Sequence, residues 1–121
     1  VLAKTFVAIG DYQGAIDAAN KIANDAKDHW LLYQQAKAEL ALERLDPALA
    51  TATCALKSAE KDPKVKARLS IYHDLLSQCL EALGSLADAL RSAETALELS
   101  GDDKYRQQLS ARVDELKLRQ S

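Results

Sequence analysis

Few side chains in this sequence have the type and spacing that chemistry needs. Tyr72-His73-Asp74 sets an imidazole beside a carboxylate, as a general base would require. Neighbours on a helix point about 100° apart, however, and do not meet. His73 therefore reads as partly exposed or packed against the preceding hairpin. The two cysteines, Cys54 and Cys79, form no CxxC pair, and His29 and His73 stand at no spacing typical of zinc ligands. Both cysteines fall in Ala/Leu-rich stretches and read as inert buried thiols, with a reducing compartment as the mild inference. The few Ser and Thr residues belong to no Gly-x-Ser-x-Gly elbow, and no Gly-rich loop is present to cradle a phosphate. Asp102-Asp103 and Asp114-Glu115 read as a helix start and a solvated face. The expectation is a chain that is not an enzyme and holds no cofactor or metal.

The elements that position these residues are helices. The 121 residues include 22 Ala and 20 Leu, against 4 each of Val, Ile and Thr. Ala and Leu are the strongest helix formers, whereas β-branched residues favour strands. Four Gly and two Pro are too few for the turns of a sandwich or barrel of short strands. The length allows one domain, 1–121, with one modest core.

A net charge of −2 argues against nucleic acid as a partner, because phosphate contacts need a basic face. Lys57, Lys61, Lys64, Lys66 and Arg68 form a local exception, but Glu60 and Asp62 interrupt it and it reads as a solvated hairpin tip. No apolar run approaches the ~20 residues that span a bilayer, and no charged-then-apolar leader opens the chain. The expected location is cytoplasmic. A first residue of Val1 rather than Met reads as an excised piece whose parent carries further helices upstream.

Breakers and caps cut the chain into helical segments. Gly10-Asp11, Asp46-Pro47, Asp62-Pro63, Gly84-Ser85 and Ser100-Gly101-Asp102 each pair a stop with a start. Ser85 and Asp88 have capping-box spacing. A less marked boundary lies between Asn24 and Asp28. The segments are about 1–9, 12–26, 29–42, 47–61, 64–83, 86–99 and 103–119, each with helical periodicity. Links this short make neighbouring helices antiparallel.

The small residues carry most information. Ala15 with Ile22, Ala48 with Ala55, and Ala89 with Ala96 lie two turns apart on one face. Each pair follows a bulky residue: Tyr12, Leu45 or Leu86. A small residue lets two helix backbones approach, and the bulky neighbour fills the hole beside it. Three occurrences in series mark a repeated unit.

Gly10-Asp11-Tyr12-Gln13-Gly14-Ala15-Ile16 resembles the turn and second-helix opening of the tetratricopeptide repeat family. Leu83-Gly84-Ser85-Leu86-Ala87-Asp88-Ala89-Leu90 is a second match, and Leu45-Asp46-Pro47-Ala48-Leu49 a weaker third. The resemblance covers residues 1 to about 100 and implies an all-α superhelix of stacked antiparallel helix hairpins. Repeat 1 spans about 1–26, repeat 2 about 29–61 and repeat 3 about 64–99, with a C-terminal capping helix at about 103–119. Ala3, Ala36 and Ser77 take the small position of the first helices. Trp30 falls two residues earlier than the family's Trp. Seven residues beyond the family's spacing separate Ala48 from Ala89, similar to the longer repeats of kinesin light chains. They are expected as two added turns shared by the fourth and fifth helices.

The resemblance further implies a protein-binding scaffold whose concave groove takes a peptide or helix of a partner. The groove positions it implies are Lys4, Trp30, Tyr33, Gln34 and Lys37, followed by Ile71, Asp74, Leu75, Gln78 and Glu81. Their charges place Lys4 and Lys37 at one end and Asp74 and Glu81 at the other. The family's chaperone adaptors clamp a C-terminal carboxylate with Lys, Asn and Arg. Here those places hold Lys4, Gln34, Ile71 and Leu75, and Ile and Leu cannot clamp a carboxylate. Acidic chaperone tails are therefore not expected partners. The alternative reading is self-association, a homodimer formed around Phe6 and Ile9, or regulatory packing within a larger protein.

Overall fold

The computed structural model describes Gly14, Asp17 and residues 28–120, with Lys66 and Ala67 described by their backbone alone. Gly14 and Asp17 are helical, inside the segment expected at 12–26. The turn at Gly10-Asp11, the stripe of Tyr12, Ala15 and Ile16, and the positions of Lys4, Phe6 and Ile9 lie outside the described residues.

Residues 28–120 contain five α-helices and no strand. These are α1 (His29–Ala41), α2 (Leu45–Glu60), α3 (Leu69–Ala82), α4 (Leu86–Leu99) and α5 (Asp103–Gln120). Short links pair α1 with α2 and α3 with α4 as antiparallel hairpins, and α5 lies along α4. The apolar contacts form a seam that runs along the stack. Ala36, Ala48, Ala52, Leu75 and Cys79 join α1, α2 and α3. Ala55, Leu56, Ala59 and Tyr72 lock α2 to α3, and Ala89, Ala93, Val113 and Leu116 lock α4 to α5. The fold is an all-α array of stacked helical hairpins.

The two described hairpins superpose in sequence at a shift of 41 residues. That shift carries Ala36 onto Ser77, Ala48 onto Ala89, Ala52 onto Ala93 and Ala55 onto Ala96, and every one of these is buried. Ala48, Ala55, Ala89 and Ala96 are 0 % exposed, as close approach of the paired helices requires. At the α3–α4 contact, the Ser77 hydroxyl donates across to the Ala89 carbonyl at 2.7 Å. Only a small first-helix residue lets a side chain this short reach the facing backbone.

The helix ends obey the same repeat. The Arg44 amide donates to the Glu39 carbonyl and the Glu43 amide to that of Leu40, closing α1 as a Schellman motif. Ser85 to Leu80 and Gly84 to Glu81 close α3 identically. The motif needs a left-handed residue, supplied by Gly84 at φ 85° and by Glu43 at φ 61°. A left-handed non-glycine residue costs roughly 1–2 kcal/mol, partly offset by the greater unfolded-chain entropy of glycine. Glu43→Gly is therefore expected to stabilise the protein by about 1 kcal/mol, read as a higher urea midpoint at unchanged slope.

Several expected boundaries are corrected. Helix α2 starts at Leu45 with Arg44 as its cap residue, so Asp46 and Pro47 lie in its first turn rather than at the cap. Pro47 still costs no hydrogen bond, because the first intrahelical donor is the Ala48 amide. Ser85 makes no capping bond, and Asp88 pairs instead with Arg91, so the capping box does not form. The additional residues between the hairpins form a 3-10 segment, Pro63–Arg68, rather than two α-turns. Asp28 and Asp102 do cap α1 and α5, their carboxylates accepting from the amides of Leu31 and of Lys104 and Tyr105.

The cysteines differ from expectation. Cys79 is fully buried, and burial followed by the nearby Glu39 charge pushes its thiol up to about 11. Cys54 is exposed on α2, contrary to the expected pair of buried thiols. A thiol reagent should accordingly titrate one cysteine quickly in the native protein and the second only in denaturant; two fast thiols would contradict the Cys79 packing. His73 is half-buried as anticipated, and burial lowers its pKa against an opposing effect of Glu60.

Candidate partner-binding face

Helices α1, α3 and α5 form one layer, and side chains that cross between them build its surface. At the α1–α3 junction, Trp30 stacks on Tyr33 at 5.3 Å between ring centroids. Tyr33 meets Tyr72 edge-on at 5.3 Å, and the Lys37 ammonium lies 5.4 Å from the Tyr33 ring centre. Helical spacing produces this ladder, since residues 30, 33 and 37 share one face of α1. Burial pushes both tyrosines up to about 12; Asp74 adds to the effect at Tyr33, and the Tyr33 neighbour adds to it at Tyr72.

His29 closes the upstream edge of this ladder. Its Nδ1 lies 2.7 Å from the Tyr72 hydroxyl and its Nε2 lies 3.3 Å from Asp62 Oδ2. With the proton on Nε2, the ring accepts from Tyr72 and donates to Asp62, so both nitrogens are satisfied. Asp62 also accepts from the Lys64 amide, and that bond, ahead of the His29 contact, holds its carboxyl below the usual range. One imidazole thus ties the start of α1 to α3 and to Asp62, the residue just before the 3-10 segment.

At the α3–α5 junction the bridging groups are polar. Tyr105 donates to Asp74 Oδ2 at 2.8 Å. Arg112 reaches Glu81 at 2.7 Å and donates to the Ser77 hydroxyl at 3.3 Å. Its Nε stands 3.8 Å from Asp74 Oδ1, an ionic contact beyond hydrogen-bond range that leaves both atoms without a hydrogen bond. Arg119 takes the other oxygen of Glu81. Tyr105, Arg112 and Arg119 stand seven apart on α5, as Asp74 and Glu81 do on α3. That matched spacing was the sequence signal that could have found this contact.

The nine expected groove residues that are described separate into three groups. Trp30, Tyr33, Lys37, Ile71 and Gln78 retain exposure on the α1 and α3 faces. Gln34 and Leu75 are buried, at 5 % and 3 % exposure, and offer a ligand no surface. Asp74 and Glu81 face α5, where Arg112, Arg119 and Tyr105 compensate them, so the acidic end read from the sequence carries little free charge. Lys4 lies outside the described residues.

Beyond Tyr105 the layer opens into a cleft of about 630 Å³. Arg68, Ser70 and Ile71 at the start of α3 form one wall, and Gly101, Lys104 and Tyr105 at the start of α5 form the other. Arg106 holds the underlying turn, donating to the carbonyls of Leu97 and Ser100 at the end of α4. Among the described residues, no cluster of three or more His, Cys, Asp or Glu side chains could hold a metal ion, and no helix is long and apolar enough to cross a membrane.

No family model matches this chain, and no curated protein matches it. The reading of its function therefore rests on the geometry and on the repeated pattern of the sequence.

Proposed function

We propose that this chain is a noncatalytic scaffold of the tetratricopeptide-repeat kind. Its α1–α3–α5 layer docks an extended peptide or a helix of another protein. The observation that carries the reading is the partly exposed ladder of Trp30, Tyr33 and Lys37 beside Ile71. Aromatic rings and long cations on rigid helices offer contact area at little ordering cost. Within each hairpin the closest contacts are made by Ala and Ser, which keeps the paired helices near one another. Ile71 and buried Leu75 supply no clamp for a terminal carboxylate, in keeping with a partner other than an acidic chaperone tail. A cytoplasmic setting belongs to the same reading, since both thiols are free.

Selection of random displayed peptides on the folded protein tests this. Enriched peptides should raise the melting temperature, and Trp30→Ala should weaken their binding at least tenfold. No enrichment, or peptides indifferent to both Trp30→Ala and Ile71→Ala, would overturn the reading. Light scattering should report a monomer at all concentrations; a concentration-dependent dimer would favour self-association instead.

A further inference from the structure

The cleft between the starts of α3 and α5 has a charge pattern that the rest of the layer lacks. Arg112 and Arg119 are occupied by Asp74 and Glu81, and Lys37 lies against the Tyr33 ring. Arg68 and Lys104, on opposite walls of the cleft, have no ion-pair partner among the described residues. The one carboxylate in the lining, Asp102, is turned onto the first amides of α5 as its cap. Ile71 and Tyr105 contribute apolar surface to the same lining. The volume falls within the ~300–1,000 Å³ of ordinary ligand pockets, room for one or two side chains of a bound peptide.

We propose that this cleft is the specificity subsite of the docking face and takes a carboxylate side chain of the partner, with an adjacent apolar side chain seated on Ile71 and Tyr105. The carboxylate meets Arg68 and Lys104, which selects acidic-apolar segments and fixes the direction of the bound peptide along the layer. This inference rests on the docking function proposed above and adds the chemistry of the partner. It also puts a basic cleft on the side of α3 where the sequence led to the expectation of an acidic end.

Two variants test it. Arg68→Glu with Lys104→Glu reverses the charge of the walls, at exposed positions outside the apolar seam. Gly101→Leu narrows the cleft without touching charge; a Cβ at Gly101 meets nothing within 4 Å, and its backbone does not require glycine. Circular dichroism verifies that both variants are folded. Peptides selected on the unaltered protein should be enriched in Asp or Glu next to an apolar residue. Their affinity should fall at least tenfold in each variant, and it should weaken with added salt for the unaltered protein. Enriched peptides without acidic residues, or with affinity unchanged in both variants but lost in Trp30→Ala, would overturn the subsite while leaving the docking face standing. Absence of any enriched peptide would overturn both.

Discussion

Removal of residues 103–121 is expected to destabilise the protein by several kcal/mol or drive it to aggregate. Leu109, Val113 and Leu116 are 2 %, 4 % and 1 % exposed, and Val113 and Leu116 cover Ala89 and Ala93 together with Leu86, Leu90 and Leu97. Fully burying an aliphatic side chain contributes about 1.5–3 kcal/mol, so three sum to several before the ordering of the helix is subtracted. The deletion also leaves Asp74 and Glu81 without Arg112, Tyr105 and Arg119, and the α4 carbonyls without Arg106. Exposed leucines on α4 would then offer an unprotected apolar face, the known hazard of an uncapped repeat array. Because the truncated chain could fail to fold, Leu116→Ala provides the graded version, with an expected loss of about 2–4 kcal/mol. An unchanged melting temperature after deletion would contradict the capping role of α5.

The second large effect is expected at Tyr72. This side chain is 2 % exposed and packs with Ala55, Leu56 and Ala59 of α2 while touching Tyr33 and His29 of α1. It is therefore the peg that fixes the second hairpin on the first. Tyr72→Ala empties a large volume lined by alanines that have little side chain with which to collapse, at a cost of about 3–5 kcal/mol. Tyr72→Phe keeps the ring and removes only the hydroxyl that meets His29 Nδ1, costing about 1 kcal/mol. Urea unfolding of both variants measures the difference. Equal losses would mean that the hydrogen bond, rather than the packing, holds the hairpins together.

Much of the fold was legible because its determinants are local. Ala48, Ala55, Ala89 and Ala96 recur at two-turn spacing, and each is fully buried. Asp102 announced a helix start by residue type, whereas Asp28 was only one end of a less marked boundary. Glu43 was not legible as a turn, since a left-handed residue normally declares itself as glycine; only its register with Gly84 reveals it. The start of α2 was misplaced because the Asp46-Pro47 signal sits within the first turn of the helix it seemed to open, with Arg44 at the cap.

The candidate face was legible in part. Trp30, Tyr33 and Lys37, which the repeat resemblance implied, share one face of α1, but adjacent Gln34 turns inward, because one residue along a helix rotates a side chain by about 100°. Leu75 turns inward one residue after Asp74 by the same geometry. The compensation of Asp74 and Glu81 depends on the register of α5 against α3, a non-local quantity to which the matched seven-residue spacing on the two helices is the one sequence clue. The Arg68 and Lys104 walls are the same kind of feature, since they lie 36 residues apart and meet only through the fold.

The repeated close approach of paired helices at their alanines is tested most directly by urea denaturation of Ala89→Leu beside Ala87→Leu. The two positions share a helix, a residue type and a propensity change, and differ in facing: Ala89 is 0 % exposed and Ala87 lies in solvent. Overpacking at Ala89 should cost about 1–3 kcal/mol, whereas the surface change at Ala87 should stay within about 0.5 kcal/mol. Equal stability of the two variants would show that the helices do not meet at Ala89, and the stacked-hairpin array would fall with it.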